Sequence, residues 1–285
     1  MDINAKTNLL CLIGSPVEHS FSPNIHNYLI KKNNLNMKYM CFNVKSDELE
    51  NAIKGIKALG IKGCNVTIPH KVEIIKHLDA VDKNALLIGA VNTVKNEGGK
   101  LIGYNTDGIG FVKSITDKGY DIYNKKVLII GAGGAARSIA VEMASNGAKE
   151  INLRNRTIKN AKEISDVLID SFGINSKFST DEITKDDLEN IDIIINTTPI
   201  GMDKDKDKDS CPIDVNINLI NKDILVCDIV YNPHETKFIS WAKKNKLDIV
   251  YGIDMLINQA VQGFNIWTGI YSNEHEKLKD ILKNV

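Results

Sequence analysis

Residues 126–137, KVLIIGAGGAAR, constrain the fold of this chain more than any other stretch. Val127 to Ile130 form an unbroken apolar run rich in β-branched residues, as expected of a strand buried on both faces of a parallel sheet. Gly131-Ala132-Gly133-Gly134-Ala135-Ala136 follows at once in the pattern G-x-G-x-x-A, and residues 138–145 continue as a helix that stops at Gly147. Strand, glycine turn and helix in this order make a dinucleotide-binding βαβ start. Gly131 permits the tight turn and Gly133 lets the backbone approach a pyrophosphate. Ala136 is small enough for close helix–strand packing, and the helix N-terminus supplies free N–H groups and partial positive charge for the anion.

The next strand, residues 150–156, tests which dinucleotide is held. An Asp or Glu at its end would grip the ribose 2′-hydroxyl of NAD. The chain instead offers Arg154, Asn155, Arg156, Thr157 and Lys159. A carboxylate would repel a 2′-phosphate, whereas a guanidinium and a hydroxyl hold one, so the expected cofactor is NADP.

The 285 residues suffice for two ordinary domains. Lys and Arg number 36 and Asp and Glu 36, and this balance argues against nucleic acid as the main partner. No basic and apolar leader opens the sequence, and no apolar run approaches membrane-spanning length, so the expectation is a cytoplasmic protein without a membrane partner. Five scattered cysteines include no C-x-x-C, and the six histidines make no ligand spacing; no metal is expected.

Upstream, residues 9–14 read as a buried strand, residues 24–32 as a helix, residues 38–44 as a strand, 46–59 as an amphipathic helix and 63–68 as a third strand. This implies a second α/β unit ahead of the nucleotide-binding one. Ser22 suits the cap of the first helix, with Pro23 at its first position, while Ser20 has no such role. Asn65 and Thr67 share a face by strand alternation, and Lys71 is placed in the first turn of a following helix, where the macrodipole disfavours a structural cation. Residues 88–95 and 100–105 read as a hairpin closed by Asn96-Glu-Gly-Gly99, and Asp107 opens the next helix. Ser20, Ser22, Asn65, Thr67, Lys71, Asn92 and Asp107 thus all fall at strand ends or helix starts, as suits a small hydroxylated, carboxylated ligand.

Downstream, strands are expected over 191–198, 224–230 and 247–252, and helices over 254–272 and 273–283. Residues 203–209 alternate Asp and Lys and read as a solvated loop.

Taken together, these motifs resemble the shikimate dehydrogenase family nearly end to end. Gly14-Ser-Pro with HSFSPNIHN (19–27) resembles its N-terminal substrate signature. NVTIPHK (65–71), GAVNT (89–93) and NTDG (105–108) resemble its central ones, and Gly131–Arg137 with Asn155-Arg-Thr157 its NADP-binding pair. GIDMLINQ (252–259) resembles its C-terminal block. The resemblance implies two α/β domains with a cleft between them: a substrate domain of residues 1–107 plus 240–285, closed by the C-terminal helices, and a Rossmann-type NADP domain of residues 108–239. It implies that Ser20 and Ser22 hold the substrate carboxylate and that Asn65, Thr67, Asn92, Asp107 and Gln259 bind ring hydroxyls. Lys71 and Asp107 become the catalytic pair. Gly131, Gly133, Gly134, Ala135 and Ala136 cradle the pyrophosphate, and Asn155, Arg156 and Thr157 the ribose phosphate. Thr197, Tyr231, Gly252 and Met255 line the nicotinamide side, with Tyr231 also counted among the substrate contacts.

The implied reaction is reversible NADPH-dependent reduction of 3-dehydroshikimate to shikimate in aromatic amino-acid biosynthesis, in a protein whose candidate assembly is a homodimer. A quinate/shikimate dehydrogenase is the alternative within the class, and a non-catalytic NADP-binding sensor the alternative outside it. One departure from the family pattern bears on the cofactor: many NADP-using members carry a second arginine four residues after the position of Arg156, where this chain has Asn160.

Overall fold

The computed structural model describes residues 3–203, 207–213 and 224–283. Residues 204–206 of the alternating-charge run lie outside them. Two compact units emerge, one made of Met1–Gly110 with Ile257–Val285 and the other of Phe111–Leu256.

The first unit opens with β1 (Asn8–Gly14), α1 (Ser22–Lys32), β2 (Met37–Asn43), α2 (Leu49–Ala58) and β3 (Gly63–Val66). It continues with β4 (Ala80–Val81), α3 (Lys83–Ile88) and the hairpin β5 (Thr93–Glu97) and β6 (Lys100–Tyr104). The sheet order is β2-β1-β3-β5-β6-β4. β1 pairs parallel with β2 and β3, while β5 runs antiparallel between β3 and β6, so the sheet is mixed. Cys11, Ile13, Cys64, Val66 and Val94 pack with Ile53 and Ile56 of α2 into one core. Two expectations are corrected here. The hairpin strand begins at Thr93 and not at Ile88, because α3 occupies 83–88 and ends on a left-handed Gly89 (φ 70°). Lys71 does not lie in a helix; it sits in a turn before a five-residue 3₁₀ segment, Glu73–His77, so the macrodipole argument does not apply to it.

α4 (Asp107–Thr116) leads into the second unit, whose elements are β7 (Lys126–Ile130), α5 (Gly134–Ser145), β8 (Glu150–Arg154), α6 (Ile158–Phe172), β9 (Phe178–Ser179) and α7 (Lys185–Glu189). β10 (Ile193–Asn196), β11 (Leu225–Asp228), α8 (Lys237–Lys244) and β12 (Ile249–Tyr251) follow. All six strands are parallel, in the order β12-β11-β10-β7-β8-β9. Numbered from β7, this is 6-5-4-1-2-3, the doubly wound arrangement whose order reverses between β7 and β10. Val127, Ile129, Ile139, Met143, Ile151 and Ile193 are among its fully buried apolar residues. Each contributes about 1.5–3 kcal/mol by leaving water. The unit extends to Leu256, past the expected boundary at 239, because β12 pairs parallel with β11 and is an edge of this sheet.

α9 (Gly252–Thr268) and α10 (His275–Lys283) end the described chain. From Ile257 onward they belong to the first unit. The helix α9 runs against β3 and β5: a Cβ on Gly63 would lie 2.4 Å from Trp267 Nε1, which donates to the Val94 carbonyl at 2.9 Å. Among the described residues no helix is long and apolar enough to cross a membrane.

Candidate active site

In the first unit four of the polar residues singled out from the sequence, Asn65, Lys71, Asn92 and Asp107, form one hydrogen-bonded cluster. Lys71 Nζ donates to Asp107 Oδ2 at 2.7 Å, with side chains 31% and 16% exposed. Both are therefore only partly shielded, and neither is stranded without a counter-charge. The loop carrying Lys71 follows β3 and is pinned by its own backbone, since the Val91 N–H donates to the Lys71 carbonyl at 2.7 Å. His70 Nε2 also lies 2.7 Å from the Val44 carbonyl. Asp107 is the first residue of α4, and its N–H donates to Asn105 Oδ1 at 3.1 Å.

Asn92 orients that carboxylate. Its Nδ2 donates to Asp107 Oδ1 at 2.8 Å and to Thr106 Oγ1 at 3.0 Å. Its Oδ1 accepts from the Thr106 N–H at 2.8 Å and from the Thr93 hydroxyl at 3.0 Å. Asn65 Nδ2 in turn donates to Thr93 Oγ1 at 3.1 Å, while its Oδ1 accepts from the Tyr39 hydroxyl at 2.7 Å. Gln259, on α9, accepts from Thr106 Oγ1 at 3.5 Å. That helix reaches the cluster because Gly110 of α4 has no side chain; a Cβ there would lie 2.4 Å from the Gln259 nitrogen. Thr93, Thr106 and Tyr39 are members that sequence reasoning missed. Thr93 and Thr106 adjoin Asn92 and Asp107 in the chain, which was the available signal.

Ser20 and Ser22 stand together at the start of α1, the Ser22 N–H donating to Ser20 Oγ at 3.2 Å. The structure corrects the capping role of Ser22: the helix begins at Ser22 itself, with Phe21 at the cap position and no side-chain cap bond. Thr67 lies just past β3, where its Cγ2 would be 2.2 Å from a Cβ on Gly14, so glycine is required at position 14. Chemically, Lys71 keeps two further N–H donors, and each Asp107 oxygen keeps lone-pair capacity beyond its one bond here. The cluster can therefore donate a proton and accept hydroxyls.

In the second unit the glycine turn sits where the strand order reverses. Gly131 has φ +107°, and a Cβ there would lie 2.4 Å from Thr197 Oγ1, at the end of β10. Thr197 itself donates to the Ile130 carbonyl at 2.7 Å. Gly133 caps α5 without a side-chain bond, and added Cβ atoms at Gly133 and Gly134 would meet nothing within 4 Å. The first turn of this 12-residue helix thus presents its N–H groups unobstructed, with Ala135 beside them and Ala136 fully buried under the helix. That open backbone fits the pyrophosphate of a dinucleotide. At the end of β8, Asn155 Nδ2 donates to the Thr157 carbonyl at 2.8 Å, and Thr157 begins α6 without a side-chain cap bond. Arg156 is exposed beside them. Arg154 differs: its side chain is 15% exposed and its guanidinium is bonded to Asp187. Gly252 packs on the turn after β11, where its Cβ would be 2.4 Å from the Ile229 carbonyl oxygen. Met255 is partly buried against the core of this unit, and Tyr231 is 40% exposed. Burial pushes the Tyr231 hydroxyl above the ordinary tyrosine range. Among the described residues no cluster of His, Cys, Asp and Glu forms a metal site.

Residues 12–94 match the family of the shikimate dehydrogenase substrate-binding domain, and residues 112–201 match shikimate / quinate 5-dehydrogenase. The chain is 48% identical over 275 residues to the shikimate dehydrogenase (NADP(+)) of Methanocaldococcus jannaschii, covering 95% of each chain. Among solved structures, a shikimate dehydrogenase in complex with NADP+ is 43% identical with a TM-score of 0.88, covering 99% of this chain and 97% of that one. The shikimate 5-dehydrogenase of Listeria monocytogenes, in complex with shikimate and NAD, is 32% identical with a TM-score of 0.92 over 99% and 98% of the two chains.

Proposed function

This chain belongs to the shikimate dehydrogenase family, and on that premise we propose that Lys71 and Asp107 are its catalytic pair. The activity is the reversible NADP-dependent reduction of dehydroshikimate to shikimate. The cofactor, when bound, supplies the hydride that converts the carbonyl carbon to a carbinol. Gly131, Gly133, Gly134, Ala135 and Ala136 hold its pyrophosphate, and Asn155, Arg156 and Thr157 its ribose phosphate. Thr197, Tyr231, Gly252 and Met255 line the nicotinamide.

As the carbonyl oxygen gains negative charge, it needs a cation and a proton. Lys71 Nζ is both: it lies against the oxygen, stabilises the developing alkoxide and transfers a proton to it. In the reverse direction the neutral amine takes the hydroxyl proton. Asp107 holds the ammonium in place at 2.7 Å and accepts a ring hydroxyl with its remaining lone pairs. Asn92 fixes the plane of the Asp107 carboxylate through the 2.8 Å bond to Oδ1. Asn65, Thr67, Asn92 and Gln259 receive the other hydroxyls, and Ser20 and Ser22, at the start of α1, receive the carboxylate.

The observation that carries this reading is the short Lys71–Asp107 bond inside a fully connected polar cluster. The test is the initial rate of NADP+ reduction, followed at 340 nm with shikimate and then with quinate. The wild type turns over shikimate in preference to quinate, and Lys71→Ala lowers turnover by about 10²–10⁴, the usual yield of a positioned acid–base group. Near-normal turnover in Lys71→Ala removes Lys71 from the mechanism.

A further inference from the structure

At the end of β11 stands a carboxylate to which the catalytic reading gives no part. Asp228 is 1% exposed and receives three hydrogen bonds. Asn196 Nδ2 and the Val230 N–H each donate to its Oδ1 at 3.0 Å, and the Thr236 hydroxyl donates to its Oδ2 at 2.6 Å. Burial pushes the carboxyl above the ordinary aspartate range, with the bonds from Thr236, Val230 and Asn196 opposing that rise.

The three donors belong to different segments. Asn196 ends β10, and its Oδ1 accepts from the N–H and hydroxyl of Thr198 at 3.1 and 2.6 Å. Asn196 therefore shapes the turn that contains Thr197. Val230 immediately precedes Tyr231, and its N–H bond to Asp228 bends the chain as it leaves β11. Thr236 caps α8, accepting from the Ile239 N–H at 3.2 Å. Gly252, the first residue of α9, lies over the same turn: a Cβ there would fall 2.4 Å from the Ile229 carbonyl oxygen and 2.6 Å from that of Val230. One buried carboxylate thus ties together the ends of β10 and β11 and the start of α8. Those ends carry Thr197 and Tyr231.

We infer that Asp228 is a positioning residue for hydride transfer, setting the loops that hold Thr197 and Tyr231 against the nicotinamide. This rests on the assignment of Thr197 and Tyr231 to the nicotinamide side made above. The action is through geometry: an asparagine at 228 keeps one oxygen for Val230 and Asn196 and turns its amide toward the Thr236 hydroxyl, which can accept. An alanine keeps nothing and leaves buried donors unpaired.

The experiment compares Asp228→Ala, Asp228→Asn and Thr236→Val with wild type. It reads kcat and the KM for NADPH, shikimate affinity by calorimetry without cofactor, and the melting temperature. Folded Asp228→Ala should lose about 10–100-fold in kcat/KM for NADPH, as expected when reacting groups are displaced by about 1 Å, with shikimate affinity unchanged. Asp228→Asn should restore most of that loss. A folded Asp228→Ala with wild-type cofactor kinetics overturns the inference. So does a folded Asp228→Asn as impaired as the alanine variant, since charge would then be the agent, and so does an equal loss of shikimate affinity. Should the alanine variant not fold, Thr236→Val removes one bond of the three while leaving the carboxylate; unchanged NADPH kinetics there also overturn it. Thr197→Val separates the two readings. If it leaves NADPH kinetics unchanged, the nicotinamide-side assignment fails and the inference with it; if it acts and Asp228→Ala does not, only the inference fails.

Discussion

Arg154 and Arg156 stand two residues apart at the end of β8, and sequence alone made both candidates for the ribose phosphate. Their surroundings separate them. Arg154 is committed to Asp187, which also closes the Thr184 capping box at the start of α7. Arg156 is exposed and available. On the reading proposed above, with Asn and not a second arginine at position 160, discrimination between NADPH and NADH falls mainly on Arg156. Arg156→Ala should therefore weaken NADPH by about 10–100-fold, the worth of one bond to a charged group, and leave NADH nearly unchanged; steady-state KM values for both cofactors check it. Equal losses for the two cofactors would make Arg156 structural. The identity of these residues was legible because motif spacing is local. The pairing of Arg154 was not, since Asp187 lies 33 positions away with nothing in the intervening chain to mark it.

Among the elements, the parallel sheet of the second unit was the easiest to read. Its strands are apolar runs such as Val127–Ile130 and Ile193–Ile195, bounded by glycine, Asn or Pro, and a strand buried on both faces needs no alternation. The mixed sheet of the first unit was harder. β4 has two residues and α3 has six, too short for either period to register, and their existence depends on pairing with β6 and on the Asp82 cap. Edge strand β2 carries another device invisible to local pattern. Asn27 of α1 donates to the Tyr39 carbonyl at 2.9 Å and accepts from its N–H at 3.0 Å, closing part of the open edge. The glycine turn between β7 and α5 is the element most sensitive to change. Gly131→Ala places a methyl 2.4 Å from Thr197 Oγ1 at a positive φ. It should cost about 1–3 kcal/mol of stability and weaken cofactor binding; thermal melts with and without NADP+ measure both. A variant with wild-type melting temperature and NADP+ affinity would show that the turn tolerates a side chain.

For the molecule as a whole, formal charges cancel near neutrality, so its response to mild acid depends on particular buried groups. His26 is the clearest. It is fully buried, stacked on Tyr39 with ring centroids 4.4 Å apart and tilted against Trp267 at 5.1 Å. Burial lowers its pKa from 6.5 to about 3, offset only in part by the Asn65 amide. The unfolded chain therefore binds a proton in the interval from pH 6.5 down to about 3 that the folded chain refuses. Stability is complete above that interval and is lost as pH falls through it, by up to about 1.4 kcal/mol per pH unit. His26→Phe keeps a ring against Tyr39 but cannot titrate. Denaturant unfolding at pH 6, 5 and 4 should show a flatter dependence for the variant by about one proton, and parallel curves would exclude His26 as the source.

The substrate-handling unit is interrupted by the whole of residues 111–256, and Gln259 and Trp267 come from beyond that interruption. The dinucleotide unit is thus continuous in the chain, while the other is complete only with the helix that presses on Gly63 and Gly110. On the proposed reading, holding NADP needs one unbroken stretch of chain, whereas recognising the acid that NADPH reduces needs two stretches far apart in sequence.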